Sequence, residues 1–232
     1  MSGPSLSVIM PVLNEAAGIV AALTALSPYR ARGVELIVVD GGSGDKTVAL
    51  AEPLADHVLS ARRERAAQMN CGAAAAHGKI LLFLHADTRL PDDADTLIGD
   101  GLAQTGRVWG RFDVHFDTGG FLPVIAALMN LRSRLTGIAT GDQAMFVTKS
   151  AFELTGGFLP IALMEDIALS THLKRISRPL CLRACVTTSA RRWRTHGVLS
   201  TVFLMWRLRL AYFFGADPAH LARRYGYAPA ER

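Results

Sequence analysis

Leu6-Ser7-Val8-Ile9-Met10-Pro11-Val12-Leu13-Asn14-Glu15 opens the chain with an apolar run that stops at proline and ends in polar residues. The plan recurs twice. Glu35 to Val39 runs into Asp40-Gly41-Gly42-Ser43-Gly44, and Ile80 to Leu84 runs into His85-Ala86-Asp87. Runs this short, apolar and β-rich read as buried strands. Helical patterns lie between them at Ala16 to Leu26, Asp45 to Leu54 and Arg65 to Ala76, and His57 to Ser60 reads as a further short strand. Repeated β–α units predict an α/β fold with a mostly parallel central sheet and helices on both faces. Ligands of such sheets bind beyond the carboxyl ends of the strands, where Asn14, Glu15, Asp40, Ser43, His85 and Asp87 gather.

The second half is less regular. Trp109 to Phe116 alternates apolar and polar residues and reads as a strand. Phe121 to Leu135 reads as a helix with Arg132 and Arg134 near its end, and Gln143 to Val147 as a strand. Glu165 to Ile176 reads as a helix with acids in its first turn and Lys174 and Arg175 in its last, matching the helix dipole. Val198 to Phe214 reads as an apolar helix interrupted by Arg207 and Arg209. The two halves are expected to share one sheet.

Two nucleotide-binding fingerprints are absent. No GxGxxG follows the first strand, and no Gly-Lys-Ser/Thr closes a phosphate loop. The Gly-rich turn after the second strand reads as a helix cap through Ser43 or Asp45. Asp87 stands at a strand exit, where a carboxylate suits Mg²⁺ or Mn²⁺ shared with substrate phosphates. Pro91-Asp92-Asp93 offers the next helix its cap and leaves Asp87 free. Glu165-Asp166 reads either as helix N-terminal acids or as a carboxylate placed to take a proton from an acceptor hydroxyl.

In their order along the chain these residues resemble the family 2 glycosyltransferases of the GT-A fold, over roughly Ser5 to Trp193. The Pro11-Val12-Leu13-Asn14-Glu15 turn, the Asp40-Gly41-Gly42-Ser43 turn, His85-Ala86-Asp87 at the family's Asp-x-Asp position and the Glu165-Asp166 pair carry the likeness. Arg65-Ala66-Ala67-Gln68-Met69-Asn70, Gly141-Asp142-Gln143-Ala144 and Met164-Glu165-Asp166 further resemble a bacterial radical-SAM/selenodomain-associated subfamily assigned to arsenosugar biosynthesis. The resemblance implies inverting transfer from a nucleoside diphosphate sugar, a UDP-sugar favoured, to a hydroxyl acceptor that the sequence does not identify. Pro11, Asn14, Glu15, Asp40, Arg65, His85, Asp87, Asp142 and Gln143 would line the donor site, with Asp40 at the base. Asp87 would hold a divalent metal, Mg²⁺ or Mn²⁺, with His196 as a further ligand. Asp166 would be the general base and Glu165 its support. His85 departs from the usual Asp, and a neutral imidazole brings no negative charge to the metal.

Composition sets the remaining bounds. Half of the 232 residues are hydrophobic and 19% are charged, which excludes global disorder. Cys71, Cys181 and Cys185 form neither a disulfide framework nor a paired zinc motif. Residues 183–232 hold nine Arg against Asp217 and Glu231, a balance of +7, so the first 182 residues carry −2 of the +5 total. Arg191, Arg192 and Arg194 surround Trp193 in a loop-like stretch before His196-Gly197, and Arg191 and Arg192 are candidates to clamp the donor diphosphate or an anionic acceptor. The expected division is a transferase domain over 1–197 and a helical appendage over 198–232. That appendage would pack on the domain, on a second subunit as a homo-oligomer, or on a membrane surface. No signal peptide is apparent and no nucleic-acid partner is expected. The expected location is cytoplasmic, with peripheral contact at the inner membrane face as the variant that would act on a lipid-linked acceptor. The alternative activity is nucleotide-sugar binding in another transferase class. A nucleotidyltransferase would want a Gly-rich first turn in place of Asn14-Glu15.

Overall fold

The computed structural model describes residues 5–227, except for the side chains of Arg192, His196 and Leu199. The first half runs β1 (Leu6–Val12), α1 (Ile19–Ala25), α2 (Ser27–Ala31), β2 (Glu35–Asp40), α3 (Thr47–Ala51), β3 (His57–Ser60), α4 (Arg65–Ala75) and β4 (Ile80–Phe83). It continues with β5 (Thr88–Arg89), α5 (Ala94–Thr105), β6 (Trp109–Phe116), α6 (Leu122–Thr136), a 3₁₀ turn at Gly141–Gln143, β7 (Phe146–Thr148) and α7 (Lys149–Leu154). The last elements are α8 (Glu165–Leu173), β8 (Leu180–Thr188), α9 (Arg191–His196), α10 (Val198–Phe213) and α11 (Pro218–Tyr225).

All eight strands share one sheet in the order β3-β2-β1-β4-β7-β6-β8-β5. β1 to β4 are mutually parallel, as are β6 and β8, while β7 runs against both β4 and β6. The period-2 alternation of β1 sorts its side chains between two cores. Val8, Met10 and Val12 meet α1, α5 and α6 through Ile19, Leu23, Ile98 and Ala126. Ile9 faces the other way, onto Ala66, Met69 and Ala73 of α4 and Leu169 of α8. α4 rides close to the sheet because Gly72 has no side chain. A Cβ there would stand 2.5 Å from Ile9 Cγ2.

Two side chains fasten the ends of β1 and β2. At the carboxyl ends, the buried Gln68 amide donates from Nε2 to the carbonyls of Val12 and Val39. At the opposite ends, buried Glu35 accepts from Ser7 Oγ, the His77 amide and His77 Nδ1. Ser7 Oγ in turn accepts from the Gly78 amide. These bonds hold Glu35 ionised below the ordinary carboxylate range, although burial acts against them.

The structure corrects several local readings. Arg191–His196 is a short helix, not a loop. Leu180–Thr188 is a nine-residue strand that the sequence does not announce. Its pairing with β6 shifts register between Phe112 and Asp113, and that irregularity breaks the alternation on which a strand reading depends. Gly141–Gln143 is a 3₁₀ turn, so β7 begins only at Phe146. Asp93 sits at the α5 N-cap without a side-chain bond, and the chain instead enters α5 through the Pro91 carbonyl accepting from Ala94. The residue before α3 is Lys46, while Asp45 accepts from the Thr47 amide. Ser43 Oγ is drawn back onto Asp40 instead.

α10 and α11 pack back on the segment before α8, with Leu208 and Leu221 against Met164. Tyr227 Oη donates to the Arg63 carbonyl. Among the described residues no helix is long and apolar enough to cross a membrane.

Gln68→Leu keeps the side-chain volume and strips two buried carbonyls of a donor. It should cost about 2 kcal/mol of stability, read as a lower urea midpoint at unchanged slope. A midpoint equal to wild type would show that this bridge is dispensable.

Candidate active site

β1 is bordered by β2 on one side and β4 on the other, so the chain leaves the three parallel strands in diverging directions. The crevice of an open α/β sheet forms at such a reversal. A cavity lies there. Pro11 near the end of β1 and Glu15 just after it line the cavity, His85, Ala86 and Asp87 follow β4, and Arg65 opens α4 at its edge. Asp142, Arg191 and Trp193 complete the wall with Thr201, Met205 and Tyr225.

The turns that deliver these groups carry unusual backbone. Among the described residues, three other than glycine have positive φ: Asn14 at 54°, Ala144 at 45° and Met164 at 72°. Each adjoins an expected site residue, namely Glu15, Gln143 or Glu165. Such conformations cost free energy and persist where surrounding structure imposes them. Asn14 accepts from the Gly44 amide through Oδ1, and its own amide donates to Ser43 Oγ. The first and second Gly/Asn turns are thereby locked together. Gly141 is required by proximity, since a Cβ would stand 2.5 Å from the His85 ring.

Charges in the cavity alternate. Arg191 Nη2 lies 3.7 Å from Glu15 Oε1. Burial raises the Glu15 pKa and the nearby Asp87 charge adds to it, against Arg191. His85 Nδ1 lies 3.6 Å from Asp142 Oδ1. Burial would raise Asp142, but His85, Arg65 and Arg209 together hold it below its ordinary value. Behind this layer Arg65 Nη1 stands 3.9 Å from buried Glu165. Desolvation, then the Asp166 charge, lifts Glu165 to about 7. Asp166 is half-buried. Its Oδ2 accepts from the Gly141 amide at 3.0 Å and its Oδ1 from the Ile167 amide. The Tyr212 hydroxyl of α10 is raised by burial and by both acids.

Pro11, Glu15, Arg65, His85, Asp87, Asp142 and Arg191 therefore meet in one cavity, with Glu165 and Asp166 behind Arg65 and Gly141. Besides Glu165 and Asp166, three expected residues do not line it. Asn14 is spent on the inter-turn bonds. Asp40 accepts from the Gly42 and Ser43 amides and from Ser43 Oγ. Gln143 is fully buried and donates to Asn130 Oδ1. The Arg192 and His196 side chains lie outside the described part. Thr188, Ser189, Thr201, Met205 and Tyr225 line the cavity without any sequence signal to mark them. Among the described residues one trio could converge on a metal ion: Glu35, His57 and His77. It sits at the far end of β2 from Asp40 and is no part of this cavity.

The model of the family described as "Glycosyl transferase family 2" matches residues 7–152. A "PGL/p-HBAD biosynthesis glycosyltransferase" of Mycobacterium tuberculosis is 38% identical over 104 residues, 42% of this chain and 40% of that protein. The match thus spans about two fifths of the curated relative's length. The structure of S. aureus TarS 1-349 in complex with UDP-GlcNAc superposes with a TM-score of 0.68 at 16% identity, covering 80% of this chain and 58% of that one. The mannosyltransferase PcManGT from Pyrobaculum calidifontis, in complex with GDP-Man and Mn²⁺, gives 0.68 at 19% identity, covering 97% and 64%. At these identities the structures speak for the fold, the α/β arrangement of the GT-A enzymes.

A carboxyl whose folded pKa exceeds its unfolded one destabilises the fold as it ionises. Glu165, at about 7 against an ordinary 4.5, should therefore lose stability as pH rises from about 4.5 to about 7. Glu165→Gln should match wild type near pH 4 and exceed it at pH 8 by up to about 3 kcal/mol. Thermal melts across that range check it; a variant less stable than wild type at pH 8 would contradict the sign.

Proposed function

The chain belongs to glycosyl transferase family 2, and from that premise we propose that it transfers a sugar from a nucleoside diphosphate sugar, UDP-sugar favoured, to an acceptor hydroxyl with inversion at the anomeric carbon. One observation carries this reading. Asp87, Glu15, Arg65 and Arg191 converge at the crevice where the strand order reverses, which is where a parallel sheet receives a nucleotide.

The roles follow from position. Arg65 and Arg191 lie at the rim with guanidinium groups suited to the diphosphate. Arg192 and His196 belong to the same reading as a second clamp and a further metal ligand. Asp40 holds its turn by three bonds and keeps lone pairs for a base edge. Glu15 faces the ribose, and His85, already directed at Asp142, is suited to a hydroxyl. The donor set fits a divalent cation, because Asp87 and Glu15 bring carboxylate charge into the same cavity and the Asp87 charge raises the cost of ionising Glu15. Mg²⁺ or Mn²⁺ would be held by Asp87 and the diphosphate oxygens, neutralising the leaving group. Asp166 takes the acceptor proton. The Gly141 and Ile167 amides fix its two oxygens, and it is the more open of the two acids. Glu165 sets the local charge and faces Arg65.

The narrower subfamily reading rests on motifs whose members also have structural duties: Gln68 bridges β1 and β2, and Asn70 exchanges hydrogen bonds with the Phe158 backbone in both directions. A division at residue 197 remains part of this reading. So does a membrane-facing form with a lipid-linked acceptor, which a specific observation favours. Phe121, Val124, Leu128, Leu131 and Leu135 form an exposed stripe along α6, and Phe203, Trp206, Leu210 and Phe213 another along α10, with Trp206 73% and Phe213 82% exposed. Apolar stripes of this kind mark contact with a bilayer or another protein.

Asp166→Asn should retain UDP binding by calorimetry and lose turnover by about 10²–10⁴-fold, the usual cost of removing a general base. Glu165→Gln, assayed alongside, should lose less. Full turnover in Asp166→Asn with collapse in Glu165→Gln would exchange their roles, and full turnover in both would remove the pair from the mechanism. Asp87→Asn should weaken UDP binding in Mn²⁺ while leaving metal-free binding unchanged.

A further inference from the structure

α6 carries an arginine that the donor site leaves unused. Arg132 is half-buried, and its Nε and Nη2 are shielded from solvent and make no hydrogen bond within the described residues. Its electrostatic neighbours are Arg209 of α10, Arg111 of β6 and Asp166. Arg111 is already engaged by Asp113 and the Asn130 carbonyl. Asp166 is engaged by two backbone amides. Arg209 acts on Asp142 as well, so both guanidiniums lie within electrostatic reach of an acid at the proposed site, Arg132 of Asp166 and Arg209 of Asp142. Burial, then Arg209, pushes Arg132 down to about 10. Asp166 is the carboxylate that acts on this guanidinium, yet its Nε and Nη2 hydrogens have no acceptors among the described residues. A planar fork of donors is suited to two oxygens of a phosphate or carboxylate.

We propose that Arg132, with Arg209 beside it, is an anion subsite on the acceptor side of Asp166, so that the acceptor is an alcohol bearing a phosphate or carboxylate group. The word acceptor rests on the glycosyltransferase reading; the subsite itself rests on Arg132. The anion has two sources, a soluble phosphorylated or carboxylated alcohol and a lipid phosphate presented between the α6 and α10 stripes.

The test is a thermal-shift titration of the full chain with inorganic phosphate in Mg²⁺, at saturating UDP to block the donor site. Wild type should gain stability saturably. Arg132→Met should bind phosphate at least about tenfold more weakly, as expected for losing charge-assisted hydrogen bonds. Arg132→Lys should fall between them. Without phosphate, Arg132→Met should melt at or above wild type, because an apolar side chain of similar length removes a half-buried charge that burial and Arg209 both disfavour. Equal phosphate responses in wild type and Arg132→Met overturn the proposal, and so does a large drop in melting temperature of the phosphate-free variant, which would make Arg132 structural. If UDP produces no shift in wild type, the donor reading fails, while the same titration without UDP still reports on Arg132. Co-sedimentation with phosphatidylcholine vesicles, plain and doped with phosphatidate, separates the sources: a phosphatidate-dependent retention lost in Arg132→Met identifies the lipid one, and its absence beside a phosphate response identifies the soluble one.

Discussion

Parallel strands on both sides of β1 impose the geometry of the reactive end. A crossover between parallel strands is right-handed in nearly every case, so connections toward β2 and toward β4 put their helices on opposite faces. The loops beyond β1 and β4 must then part, and the gap between them is the cavity. Gln68 answers the same constraint from below. Where β1 and β2 run out, its amide supplies the donor that bonds the Val12 and Val39 carbonyls. The cavity floor is therefore rigid sheet, and its rim is made of turns held by side-chain-to-backbone bonds.

Burial then acts on both signs of charge within a small volume. It lifts Glu15 and Glu165 and lowers Arg132, in each case against the charged form. Asp142 escapes because His85 and two arginines face it. An enclosure that penalises charge this way amplifies whatever opposite charge enters it. That property suits a reaction in which a diphosphate departs and a hydroxyl loses its proton.

The first half of the fold was legible because its strands are buried on both faces and read as unbroken apolar runs ending in polar residues. β8 was not, because Arg183 interrupts it and the register shift opposite Phe112 and Asp113 spoils its period. Site legibility followed the same line. Glu15, His85 and Asp87 stand directly after strands, where topology alone predicts a role. Thr201, Met205 and Tyr225 come from α10 and α11, which the packing of Leu208 and Leu221 on Met164 and the Tyr227 bond to Arg63 bring in. Arg132 sat in plain view near the end of α6, but its lack of partners is a property of three dimensions. Asn14, Asp40 and Gln143 show the converse. Expected in the donor site, they do not line the cavity, and the structure employs them in holding turns.

The Glu35 cluster lies five residues from Asp40 along β2, about 17 Å at the usual rise per residue. It binds β1, β2 and the lead into β4 at the end where nothing reacts. Load-carrying contacts and reactive groups are thus spatially segregated along the same strands. Loops at the cavity end can exchange residues without disturbing the joint that keeps the strands in register, so descendants of this chain are free to vary what they recognise while inheriting an unchanged frame.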